Sequence, residues 1–232
     1  MSMFIVHQAT DHTLLLADSL ARRRMSATLE TFSASASKLA DLGRGVFAAH
    51  AGTWQPALSM LSDVATLLAT PRGRSISHKN LCSTLSVIGR KRFTEFQSKW
   101  KGFDIDVRVA LILTGKLRDP IDIKSHLSST VLLWEAARDF IPHRARGQIC
   151  FAGSPLLSRF ATDLLAHEAL KDLLASTPLA AAQALLAAHS ATAKLSDNIS
   201  EEPNLIVIGS DQKSCVLRGS LFSLPCAALL GG

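Results

Sequence analysis

The chain has 232 residues, 47% of them apolar and 19% charged, and carries a formal net charge of +6. These are the proportions of ordinary globular proteins and exclude disordered, collagen-like and repeat-fibre chains. A chain this long buries roughly 70% of its unfolded surface, enough for a full core without staples.

In chain order, Phe4-Ile5-Val6 and Thr13-Leu14-Leu15-Leu16 read as a hairpin about the polar turn Ala9 to His12. From Ser19 to Ser37 the chain is small and polar, which predicts a long connection. Lys38-Leu39 and Gly45 to Ala49 form a second strand pair, and Gly52 breaks it. Trp54, Ala57, Leu58, Leu61, Val64, Ala65 and Leu68 then keep a helical period as far as Ala69, with Pro56 in the tolerant first turn.

Between Pro71 and Gly102 stand Arg72, Arg74, Lys79, Arg90, Lys91, Arg92, Lys99 and Lys101 against the single acid Glu95, so this stretch accounts for the whole positive excess. Phe93, Phe96 and Trp100 are interleaved, a pattern that can grip nucleic acid. The plainer reading is an amphipathic helix with its aromatics on the core and its cations solvated, so nucleic acid is not expected as a partner.

Val107 to Leu113, Ser129 to Trp134 and Gln148 to Ala152 follow as strands, and Gly153 breaks the last of them. Leu156, Leu157, Phe160, Ala161, Leu164 and Leu165 mark an amphipathic helix. Thr177-Pro178 opens another helix, which runs to about Lys194. Leu205 to Ile208 and Cys215 to Leu217 close the chain as a hairpin around Ser210-Asp211. Grouped strands and helices in this order predict an α+β fold with an antiparallel sheet pair and helices outside. No repeat or linker divides the sequence, so residues 2–232 read as a single domain with the basic helical segment 71–102 inside it.

The four cysteines, Cys82, Cys150, Cys215 and Cys226, show no CxxC spacing. A disulfide framework or zinc knuckle is therefore not expected, and reduced thiols in a cytosolic protein are. The opening residues lack the charge order of a signal peptide, and no apolar run reaches the ~20 residues that span a bilayer. The expectation is a soluble, cytoplasmic protein with no membrane partner. Neither a nucleotide-binding glycine loop nor a same-face histidine pair is present, so no cofactor and no metal is expected.

Leu16-Ala17-Asp18-Ser19, Lys38-Leu39-Ala40-Asp41-Leu42, Ala51-Gly52, Cys150-Phe151-Ala152-Gly153-Ser154 and Asp197-Asn198-Ile199-Ser200 occur in an order and at intervals that carry a resemblance. Together they resemble the proteasome β-subunit-like branch of the N-terminal nucleophile hydrolases, over roughly Ser2 to Gly219. Departures are a serine at the leading position, a longer stretch between Asp18 and Lys38, and Pro155 and Glu201 where the family has glycine. The resemblance implies a four-layer αββα sandwich of two antiparallel sheets flanked by helices.

It also implies roles. Ser2, once Met1 is removed, would be the nucleophile, with its own α-amine as base; an α-amine of pKa near ~8 suits that task. Lys38 would hold the hydroxyl electrostatically, Asp18 would orient Lys38, and the Gly52 N–H would stabilise the oxyanion. Ser154, Asp197 and Ser200 would orient the amine. His50, just ahead of Ala51-Gly52, falls near this set and reads as structural. The implied substrate is a peptide or unfolded protein, the implied assembly a homo-oligomeric ring with an ATPase as a further partner. A catalytically silent scaffold or binding subunit of the same fold is the alternative, favoured by Pro155 and Glu201.

Overall fold

The structure is a computed structural model, and it describes residues 2–19, 21–25, 28–32, 38–101, 104–197, 199–209 and 214–218, with backbone alone for 21–25, 28–32 and 214–218. Strands β1 (Met3–Gln8) and β2 (His12–Asp18) form the expected hairpin, in register from Phe4 opposite Ala17 to Gln8 opposite Thr13. Every residue of β2 is buried, because both faces of this strand are covered. Its centre, Leu14 to Ala17, is therefore a continuous apolar run that does not alternate.

β3 (Ala21–Met25) and β4 (Thr28–Phe32) pair antiparallel, with Arg23 opposite Glu30. This corrects the long connection expected between Ser19 and Ser37: a separate two-stranded ladder occupies its middle. β5 (Leu39–Asp41) and β6 (Val46–Gly52) follow as expected. α1 (Trp54–Ala69) then buries Ala57, Met60, Leu61, Val64 and Leu68 on one face.

The basic stretch is helical, as α2 (Pro71–Arg74) and α3 (His78–Lys99), the latter capped by the Ser77 hydroxyl accepting from the Asn80 N–H. Such a cap contributes about 1 kcal/mol. Arg92 clamps Asp63 of α1 through Nε and Nη2 at 2.7 and 2.8 Å. Only part of the aromatic expectation holds. Phe93 packs on Phe140 with ring centroids 5.2 Å apart, whereas Trp100 stacks on Phe96 near the helix end and is 41% exposed.

The remaining elements are β7 (Val107–Leu113), α4 (Pro120–Lys124), β8 (Thr130–Glu135), β9 (His143–Ala145), β10 (Gln148–Ala152), α5 (Pro155–Ala166), α6 (Glu168–Leu174), α7 (Pro178–Ala193), β11 (Pro203–Gly209) and β12 (Ser214–Arg218). The Ser210-Asp211 turn and Cys226 lie outside the described residues.

Two five-stranded antiparallel sheets result, in the orders β10-β1-β2-β11-β12 and β5-β6-β7-β8-β9. Three apolar layers hold them. Phe4, Val6, Leu15, Phe47, Ala49, Ala110 and Ile112 pack between the sheets. Met3, Ile5, Leu14 and Leu16 meet Ala181, Ala184, Leu185 and Ala188 of α7. Val46, Ala48, Val109 and Leu111 meet Leu61 and Val64 of α1 and Leu81 and Leu85 of α3. The period of two along each strand assigns odd and even residues to opposite layers. The architecture is the αββα sandwich that the resemblance implied.

At Gly89 of α3, a Cβ would lie 2.5 Å from the Cβ of Phe140. Phe140 and Asp139 take left-handed φ values of 53° and 50°, which swing the ring under α3 and edge-on to Trp134.

Candidate functional site

Asp18 is the last residue of β2, on the face that Leu14 and Leu16 turn toward α7, and it is fully buried. Its Oδ1 accepts the Met3 backbone N–H at 2.6 Å, and its Oδ2 accepts from Lys38 Nζ at 2.7 Å. Lys38, immediately before β5, is equally buried, with 3% of its side chain exposed. Two opposite charges out of water persist only when each satisfies the other, so this is an interior ion pair and no surface decoration. Burial lowers the Lys38 pKa, and the attraction of Asp18 only partly offsets this. The ammonium therefore gives up a proton more readily than an ordinary lysine does.

Ser2 is 6% exposed and directly precedes β1. Met3 faces Ala152 across the β1–β10 ladder, so one further step of that register sets Ser2 opposite Gly153. Alternation gives Ser2 the inter-sheet face of Phe4. The Asp18 carboxylate thus grips both the lysine and the amide adjoining Ser2.

Gly52 ends β6 with φ +89°, and a Cβ there would stand 2.2 Å from the Asp106 carbonyl oxygen. That oxygen also accepts the Thr53 N–H at 2.5 Å, fixing the chain as it turns from β6 into α1. Only glycine meets both conditions. His50, two residues earlier, donates its backbone N–H to the Lys38 carbonyl at 3.0 Å, so β5 and β6 bring Lys38, His50 and Gly52 to one end of their sheet.

The other three candidates divide. Ser154 lies next to Gly153, but its hydroxyl caps α5, accepting from the Leu157 N–H at 3.2 Å. Ser200 is tied to the end of β2: its hydroxyl accepts from the Ser19 hydroxyl at 3.1 Å and from the Glu202 N–H at 3.0 Å. Asp197 is exposed on the turn after α7. Asn198, its neighbour in the motif, and Met1 lie outside the described residues.

Two further histidines are buried in different layers, His50 on β6 and His189 on α7. His50 is 1% exposed and His189, on α7, is 0% exposed. None of their four ring nitrogens has a hydrogen-bond partner among the described residues. Burial, with the Lys38 charge in second place, lowers their pKa values to about 3 and about 4, so both rings are neutral at pH 7. His189 was invisible as a candidate, although a single imidazole on an otherwise alanine- and leucine-rich helix was the available signal. Among the described residues no group of three His, Cys, Asp or Glu side chains is placed to hold a metal ion. No described helix is long and apolar enough to cross a membrane.

No family model matches the sequence. No curated protein matches it either. Among solved structures it is similar to Anbu (ancestral beta-subunit) from Yersinia bercovieri, with a TM-score of 0.65 and 11% sequence identity, over 94% of this chain and 88% of that one. At that identity the likeness concerns the fold, and the fold of this chain is proteasome-like: two antiparallel sheets between helical layers.

Proposed function

We propose that the chain is a proteasome-like N-terminal nucleophile hydrolase that cleaves peptide amide bonds with Ser2. The observation carrying this reading is the buried Asp18 carboxylate that binds Lys38 Nζ and the Met3 amide together. In this reading, loss of Met1 frees the α-amine of Ser2 to act as base on the hydroxyl, and Lys38 stabilises the developing alkoxide. The Gly52 N–H faces the oxyanion, a donor whose loss typically costs about 3–4 kcal/mol of barrier. Ser200, held beside the end of β2, and Ser154 orient the amine, with Asp197 the outlying member. Leu156, Phe160 and Leu179, exposed on α5 and α7, supply apolar surface for packing copies into a ring. An unfolding ATPase would be the further partner.

A second reading, a silent scaffold or binding subunit, is favoured by the Ser154 hydroxyl, which is already committed to capping α5 ahead of Pro155. Intact mass and an electrophilic peptide probe separate the two. Hydrolysis requires loss of Met1, labelling at Ser2 and loss of labelling in Lys38→Ala. A processed, folded chain that takes no label leaves the scaffold.

A further inference from the structure

His7 lies near the end of β1 and His12 opens β2, at a spacing that within one strand would set them on opposite faces. The hairpin reverses this and corrects the expectation that no histidines share a face. His7 follows Ile5 and His12 precedes Leu14 on the face turned toward α7, and the two rings stand 5.7 Å apart between centres. One nitrogen of each ring is already engaged. The Leu174 carbonyl can only accept, so its 3.1 Å contact places the His7 proton on Nε2; the Asp11 carboxylate, 2.7 Å from His12 Nδ1, likewise places that ring's proton on Nδ1. The bare nitrogens are then His7 Nδ1 and His12 Nε2, both buried and without a partner among the described residues. His12 is 1% exposed. A third orphan adjoins them: Gln148 faces His7 across the β1–β10 ladder, where opposed residues share a face, and its amide nitrogen is buried and unpartnered. A half-turn of that amide puts its oxygen in the same place.

A histidine that binds a metal almost always donates its far N–H to a carboxylate or a backbone carbonyl, which fixes tautomer and ring orientation. Both rings here are held that way. With zinc–nitrogen bonds of about 2.0–2.1 Å, two imidazoles on a tetrahedral centre lie about 5–6 Å apart between ring centres, the spacing of this pair. We propose that His7 Nδ1 and His12 Nε2 bind a divalent first-row transition ion such as zinc, with the Gln148 amide oxygen as third ligand and water completing the shell. Asp11 and the Leu174 carbonyl orient the two rings from behind. Burial first, and the neighbouring His12 second, lower the His7 pKa, which keeps that ring neutral and ready to ligate at pH 7. No trio of His, Cys, Asp or Glu ligands is available among the described residues, so the site is a water-completed one and no closed structural centre. It sits at the β1–β2 turn, at the end of β1 remote from Ser2.

The test uses the full chain, stripped of metal and titrated with zinc chloride alone in competition with a chromophoric chelator. Wild type should take up one equivalent, and His7→Phe and His12→Phe should each bind it at least about tenfold more weakly. Asp11→Asn changes an exposed side chain behind His12 and should weaken binding by about 10–100-fold. His167→Ala, at an exposed position elsewhere, should leave it unchanged. In protein with labelled histidines, zinc should shift the signals of His7 Nδ1 and His12 Nε2 and leave the other nitrogen of each ring protonated. No saturable uptake by wild type means that water alone bridges the rings and overturns the proposal, as does uptake that both folded Phe variants retain in full. Should the Phe variants not fold, Asp11→Asn and the wild-type nitrogen signals decide: unchanged affinity with unshifted imidazoles overturns it. None of these readouts needs turnover, so the result stands apart from hydrolysis by Ser2.

Discussion

Lowering the pH from 7.5 to 5.0 should destabilise this protein chiefly through two side chains. His50 and His189 are neutral in the folded chain, with pKa values near 3 and 4 set first by burial and then by the Lys38 charge. In the unfolded chain each reverts to about 6.5. A base whose folded pKa is depressed contributes stability that is intact above the unfolded pKa and is lost as pH falls toward the folded one. The window is therefore pH 6.5 down to about 4 for His189 and about 3 for His50. At pH 5.0 the unfolded state has gained about 1.5 pH units of protonation free energy that the native rings cannot match, about 2 kcal/mol for each histidine. Urea unfolding at the two pH values measures this directly. Wild type should lose about 4 kcal/mol more than His50→Phe/His189→Phe loses over the same interval, and each single variant about half of that difference. His7, also lowered by burial, is common to all four proteins and cancels. Equal losses in wild type and the double variant would refute the assignment of these rings as buried and neutral.

The buried ion pair makes a second prediction. Lys38→Met leaves the Asp18 carboxylate unpaired and should cost about 3–5 kcal/mol in urea unfolding, whereas adding Asp18→Asn, which still accepts the Met3 N–H, should recover most of it. Gly52→Ala forces a Cβ toward the Asp106 carbonyl at a positive φ; the backbone conformation alone costs about 1–3 kcal/mol, and a melting temperature equal to wild type would contradict the turn geometry. Cys150, its pKa pushed up to about 12 by burial, should resist iodoacetamide at pH 7.5 in the native protein and label on unfolding, as mass spectrometry of the peptides can show.

The two main sheets and the long helices were legible because each buried strand is a run of apolar residues and each long helix keeps its period. α1 ends at Ala69 as its pattern predicts. The ladder of β3 and β4 was not legible: three consecutive arginines in Ala21–Met25 erase the two-residue alternation that marks a half-buried strand. β9 is three residues of His-Arg-Ala, too short for any pattern. Of the site, the acid, the lysine and the glycine could be picked out because motif order links them over long intervals. The burial of His189 was beyond reach, since it comes from packing α7 onto the sheet and no local rule encodes that.

Gly89 and Phe140 trade volume with each other. The absent side chain of one is filled by the ring of the other, so the distance between α3 and the sheet beneath it is set jointly by both positions. Widening position 89 while leaving 140 aromatic would lift the whole helix, and with it the Arg92 clamp on α1. Sequences that share this fold should therefore vary the two positions in concert, a bulkier residue at one accompanied by a slimmer one at the other.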